Sequence, residues 1–182
     1  VVLNKSDFQV RMAGISSVAI DTLVVADGAQ EITCTFYSQA DAKGYPWHAH
    51  RDRIGFVEMM GITSIGAHAF ENCTKLQSVV FPESLTSIGW NAFRHCDALT
   101  DVVFPKSLQK IDFGAFRECK SLKTVTFSTG MKTIHESAFD GATQLQAIYV
   151  PAKKTDYYKQ RLPEKLHSLI VELEPVKKAK KQ

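Results

Sequence analysis

The sequence predicts an α/β repeat fold. It is a right-handed solenoid of 23-residue coils, with short parallel strands on one side, tight turns or single helical turns on the opposite side, and a cap at each end. Three observations carry this expectation. Residues of one type recur at a fixed offset of 23 positions. Each unit holds one short alternating stretch that ends at or near a proline. The apolar positions of a single unit cannot bury one another, so neighbouring units have to stack.

The columns follow in order along one unit. Ile65, Ile88, Ile111 and Ile134 share the first. Ala69, Ala92, Ala115 and Ala138 share the next, with Phe70, Phe93, Phe116 and Phe139 directly after. Cys73, Cys96, Cys119 and Ala142 come next, then Leu76, Leu99, Leu122 and Leu145. Val79, Val102, Val125 and Ile148 precede Phe81, Phe104, Phe127 and Val150 by two residues. The pattern L-x-x-V-x-F alternates at its end, as a strand with one buried face does. Pro82, Pro105 and Pro151 then stop it, because proline cannot donate to a ladder. Gly66 and Gly89 permit a tight corner after the isoleucine, although Asp112 and His135 stand there in later units. Parallel strands stacked about 4.8 Å apart complete one continuous core.

The unit I-G-x-x-A-F-x-x-C-x-x-L-x-x-V-x-F-P-x-x-L-x-x-I resembles the BspA-type (Treponema pallidum-type) leucine-rich repeats of bacterial surface proteins. The resemblance covers roughly residues 53–173. Tyr45-Pro46-Trp47 and Ile54 are similar to the Pro-Trp cap that precedes the first coil in such proteins. Ile148-Tyr149-Val150-Pro151-Ala152, Asp156-Tyr157-Tyr158-Lys159 and Leu162-Pro163 resemble their closing segment. The resemblance implies a leucine-rich-repeat solenoid, an exported protein of a gut or oral bacterium or of a protist, and adhesion or protein recognition. It implies no catalytic site and no cofactor.

The chain then divides into a β-rich N-terminal cap at 1–52, repeats at 53–150, a C-terminal cap at 151–173 and a basic flexible tail at 174–182. In the first cap, apolar stretches at 17–20 and 22–25 are separated from 32–37 by the turn-like Asp27-Gly28. In the second, a helix is expected over 155–162. Hydrophobic residues are 45% and charged residues 23%, the composition of a globular protein. A net charge of +3 does not suggest nucleic acid, and no apolar run reaches the ~20 residues of a membrane span. The chain starts at Val1 rather than Met, as a trimmed product does, so the absence of a signal segment says little about location.

Two surfaces are candidate sites. The first is the outward side of the strands, where Val57, Val80, Val103, Thr126 and Tyr149 form one column. Asp101 and Lys123 stand in the neighbouring columns. An apolar stripe with polar edges suits a protein partner, although β-branched residues also simply suit strands. The second is the corner after the glycine, where Trp90 and Phe113 occupy equivalent positions, with Arg94 and Arg117 four residues further on. Aromatic plus arginine is the composition of an interface hot spot; local packing, with arginine stems over the rings, is the plainer reading.

Other motifs read as structure. Three equivalent cysteines cannot all pair, so the column is one of small buried thiols. His48 and His50 could share a metal if they stood on a strand, but no third ligand accompanies them. Asn72-Cys73-Thr74 fits a glycosylation acceptor by accident. No nucleophile elbow, phosphate loop or paired carboxylate is present. The expectation is therefore a non-enzymatic adhesion module, secreted or at the cell surface, that binds a host or matrix protein. A structural spacer, a self-assembling homodimer and a glycan binder are the alternatives.

Overall fold

The structure, a computed structural model, describes residues 2–3, 22–25, 31–32, 45 and 47–174. In chain order the strands are β1 (Val2–Leu3), β2 (Thr22–Val25), β3 (Glu31–Ile32), β4 (Phe56–Met59), β5 (Ser64–Ile65), β6 (Ser78–Val80), β7 (Ser87–Ile88), β8 (Asp101–Val103), β9 (Lys110–Ile111), β10 (Thr124–Thr126), β11 (Thr133–Ile134), β12 (Ala147–Val150) and β13 (Ile170–Glu172). The main row consists of two four-stranded sheets, β1-β2-β4-β6 and β8-β10-β12-β13. The second row is a five-stranded sheet, β3-β5-β7-β9-β11. Every pairing is parallel. The expected solenoid of 23-residue coils is present, with Ile65 opposite Ile88, Ile88 opposite Ile111 and Ile111 opposite Ile134.

The side away from the main row is built from tight turns. The one α-helix among the described residues is α1 (Thr155–Lys159), which is shorter than expected. Beyond Lys159 the chain continues as a turn, in which Arg161 and Leu162 N–H both donate to Tyr158 O, at 3.0 and 2.9 Å, and Pro163 bars further helix. Turns on this side are bonded coil to coil: Phe70 N–H donates to Ala92 O at 2.7 Å, Phe93 N–H to Ala115 O at 2.8 Å and Phe116 N–H to Ala138 O at 2.8 Å. Each coil turns through left-handed backbone just before its cysteine position. Asn72, His95, Glu118 and Gly141 have φ of 63°, 57°, 60° and 76°. The turn asks for glycine or asparagine, and only two of the four positions supply one. Gly89 serves differently: an added Cβ would lie 3.0 Å from backbone atoms of Ile65, Gly66 and Ala67.

An aromatic spine runs through the core. Trp47, Phe70, Phe93, Phe116 and Phe139 stack in succession, with centroids 5.2, 5.1, 5.1 and 5.7 Å apart. Trp47, itself stacked on Tyr45 at 5.2 Å, leads into the spine, and its indole N–H donates to Ala69 O at 2.6 Å. Phe81, Phe104 and Phe127 form a second stack beside the first. The cysteine column is buried and free: Cys96 Sγ lies 3.3 Å from Phe70 O, and Cys119 Sγ 3.1 Å from Phe93 O. Burial pushes the Cys73 thiol up to about 12. Cys34 lies outside the described residues, as do the stretches at 17–20 and 33–37.

Strands at both ends extend the rows. β2 pairs with β4 and β1 with β2, while β3 pairs with β5 and β13 with β12. Segments on either side of the repeats thus contribute strands in the same parallel sense as the coils.

Candidate functional site

The main row presents one face to solvent. In β6 and β8 the middle residue is buried and its neighbours are exposed. The register aligns Glu58 with Val80, and Val103 with Thr126, Tyr149 and Val171; the 23-residue repeat joins Val80 to Val103 and makes these six one outward column. Val103 is 64% exposed, and Val80 and Val171 are also open, while Thr126 and Tyr149 are half-buried. Polar side chains border the column. Asp101 and Lys123 are exposed, and Thr124 Oγ1 donates to Asp101 Oδ1 at 2.6 Å.

One expected member of this column is corrected. Val57 is fully buried and pairs with Leu23 and Val79, so it belongs to the core. The first coil is one residue short where Met60 and Gly61 replace the Pro-Glu-Ser of the next. From Val57 to Val79 the step is 22 residues, whereas Val79, Val102 and Val125 repeat at 23. A one-residue slip reverses the face of a strand residue, and Glu58 takes the outward place. Val171 was missing from the expected column because no repeat motif marks β13.

The corner is a separate surface, reached from β7 and β9 of the second row. Trp90 is 48% exposed and Phe113 is also open, with ring centroids 6.2 Å apart. His135 stands edge-on to Phe113 at 5.1 Å. Arg94 is tied elsewhere: its Nη1 donates to the buried Glu71 Oε1 at 3.3 Å, and Glu71 Oε2 meets His68 Nδ1 at 2.8 Å. This small charged cluster was not legible from spacing, since Glu71 and Arg94 share a column with Arg117 and Asp140. Arg117 is half-buried beside it.

His48 and His50 lie on a 3-10 turn rather than on a strand, and the His48 ring faces the Arg51 guanidinium. Among the described residues no three potential metal ligands converge. Tyr158 is buried, which raises its phenol. Its hydroxyl donates to Ser128 O at 2.5 Å and anchors the closing helix to the last coils.

The model of the BspA type leucine-rich repeat region matches residues 55–161, in six copies. No curated protein matches the chain. A leucine-rich cell surface protein from Faecalibacterium prausnitzii A2-165 is similar in structure, with TM-score 0.64 and 22% identity over 78% of this chain and 35% of its own. A leucine-rich repeat protein from Bacteroides ovatus gives TM-score 0.56 and 18% identity over 88% of this chain and 44% of its own. The leucine-rich repeat protein of T. pallidum gives TM-score 0.50 and 24% identity over 83% and 82%. At these identities the likeness is one of fold. The chain spans less than half the length of the first two proteins.

Proposed function

The chain belongs to the BspA-type leucine-rich repeat family, and from that premise we propose that it is a non-enzymatic protein-interaction module. It works in adhesion at the bacterial surface and holds a host, matrix or neighbouring-cell protein on the outward column of its main row. The observation that carries this reading is the run of open valines, Val80, Val103 and Val171, in one column across separate coils. Solvated apolar side chains in a row gain free energy when a partner covers them. Asp101 and Lys123 supply the polar rim that gives such a contact its register. The core does not depend on these positions, so the surface is free to vary while the columns beneath it stay fixed.

The chemistry of the chain supports a binding role over catalysis. Cys73, Cys96 and Tyr158, whose protonation burial displaces upward, are packed inside the core. A surface location accords with the Faecalibacterium cell surface protein. No helix among the described residues is long and apolar enough to cross a membrane.

The test is retention of the purified chain on immobilised extracellular-matrix proteins and on epithelial cells. Retention that falls at least tenfold in a Val80→Lys, Val103→Lys double variant is the expected result. Absence of retention on every surface, or equal retention by the double variant, overturns the proposal.

A further inference from the structure

Trp90 and Phe113 take no part in the core, which closes around the two phenylalanine stacks without them. A half-exposed indole beside an open phenyl is a feature that strand packing does not call for. The two rings come from successive coils, and their planes tilt by 59°. His135, from the coil after, extends the row. The rim around them is polar. Lys110 Nζ and Asp112 Oδ2 pair at 2.8 Å immediately before Phe113. Exposed Glu136 occupies the Trp90 and Phe113 position one coil on. His135 Nδ1 is engaged by the Ser137 N–H at 3.2 Å, and Nε2 is the ring nitrogen left to bond a hydroxyl.

We propose that this corner is a glycan site, distinct from the valine column, that seats a neutral oligosaccharide with one pyranose ring against each aromatic face. A pyranose has an apolar face of C–H bonds and a rim of hydroxyls. It therefore needs a flat apolar floor and fixed donors and acceptors at the edge, which Trp90, Phe113, Asp112, His135 and Glu136 provide. The 6.2 Å between centroids is of the order of one sugar unit along an extended chain, and the tilt follows a chain whose successive units rotate. A second copy of the chain fits the corner less well. Its apolar surface is two side chains, whereas stable self-association takes about 800 Å² from each partner.

The intrinsic fluorescence of the full chain provides the assay. The chain has two tryptophans, and Trp47 is buried, so acrylamide quenching reports Trp90. The probes are cellohexaose, chitohexaose and maltohexaose at millimolar concentration. Protection of Trp90 by at least one of them is expected. Affinity for that probe, measured by calorimetry, falls about tenfold or more in Phe113→Ala and in Trp90→Ala, the loss of one well-stacked ring contact. Val103→Lys leaves it unchanged, which separates this site from the protein-binding column. Because both aromatic substitutions are at exposed positions, unaltered far-UV dichroism verifies folding. No protection by any of the three probes, or equal affinity in both variants, overturns the proposal. So does sedimentation that shows a dimer in the parent chain and a monomer in Trp90→Ala.

Discussion

Replacement of Phe93 by alanine should be among the most damaging single changes in the chain. Its ring stacks on Phe70 and Phe116, each at 5.1 Å, and meets Phe81 edge-on at 5.7 Å. It is fully buried at the middle of the spine. Removal of a buried phenylalanine ring costs about 3–5 kcal/mol, including the cavity it leaves. The two stacked contacts place Phe93 toward the upper end, since each adds about 0.5–1.5 kcal/mol beyond burial. For a chain of this length the midpoint falls about 2–4 °C per kcal/mol, so a drop of about 6–20 °C is expected. Phe139 sits at the end of the spine, slightly exposed and with a single stacked neighbour, and its replacement should cost less. A break in the middle of a nearest-neighbour stack also uncouples its two halves, so the urea transition of Phe93→Ala should broaden. Thermal and urea unfolding followed by circular dichroism measure both effects. A loss below about 1 kcal/mol, or a larger loss from Phe139→Ala, would refute a core built on this spine.

Three further outcomes follow from the same geometry. Gly130→Ala would bring a Cβ to 1.9 Å from Lys106 O, a backbone clash, so a loss of about 3 kcal/mol or more is expected in urea unfolding, and a neutral result contradicts the close packing of these turns. The Cys73 thiol, pushed up to about 12 by burial, keeps its proton in the folded state while the unfolded thiol loses it near 9. Its stabilisation is present below pH 9 and is lost as pH rises from 9 toward 12, at up to about 1.4 kcal/mol per unit. Urea midpoints under reducing conditions should decline over that range, and more shallowly in Cys73→Ala; an identical slope refutes the assignment. Val103→Lys should change stability by no more than about 0.5 kcal/mol, because the side chain is largely solvated; a large loss in thermal unfolding would place it in the core instead.

The core was legible because it repeats. Ile88, Ala92, Phe93, Cys96, Leu99, Val102 and Phe104, one complete coil, are all buried where their columns indicate. Periodicity fails where spacing changes. A coil one residue short turns Val57 inward, against the 23-residue column, and a strand reports such a slip at every position. β2 and β3 stand 34 and 33 residues before their partners, Leu23 opposite Val57 and Ile32 opposite Ile65, so no offset of 23 finds them. The left-handed turn was hidden because Asn72, His95, Glu118 and Gly141 differ in type while sharing a backbone angle. The candidate surfaces were partly legible: outward positions follow from inward ones. The pairing of Arg94 with Glu71 depends on rotamers that spacing does not encode.

On the proposed reading the outward column is a binding surface laid over an independent core. A scan of Glu58, Val80, Val103, Thr126, Tyr149 and Val171, each changed to lysine, tests this when retention on the bound partner and the thermal midpoint are measured for every variant. Retention should fall most at Val80 and Val103, the two most exposed members of the column, with midpoints within about 2 °C of the parent. Retention that falls only in step with the midpoint, or that is insensitive to all six, would contradict it.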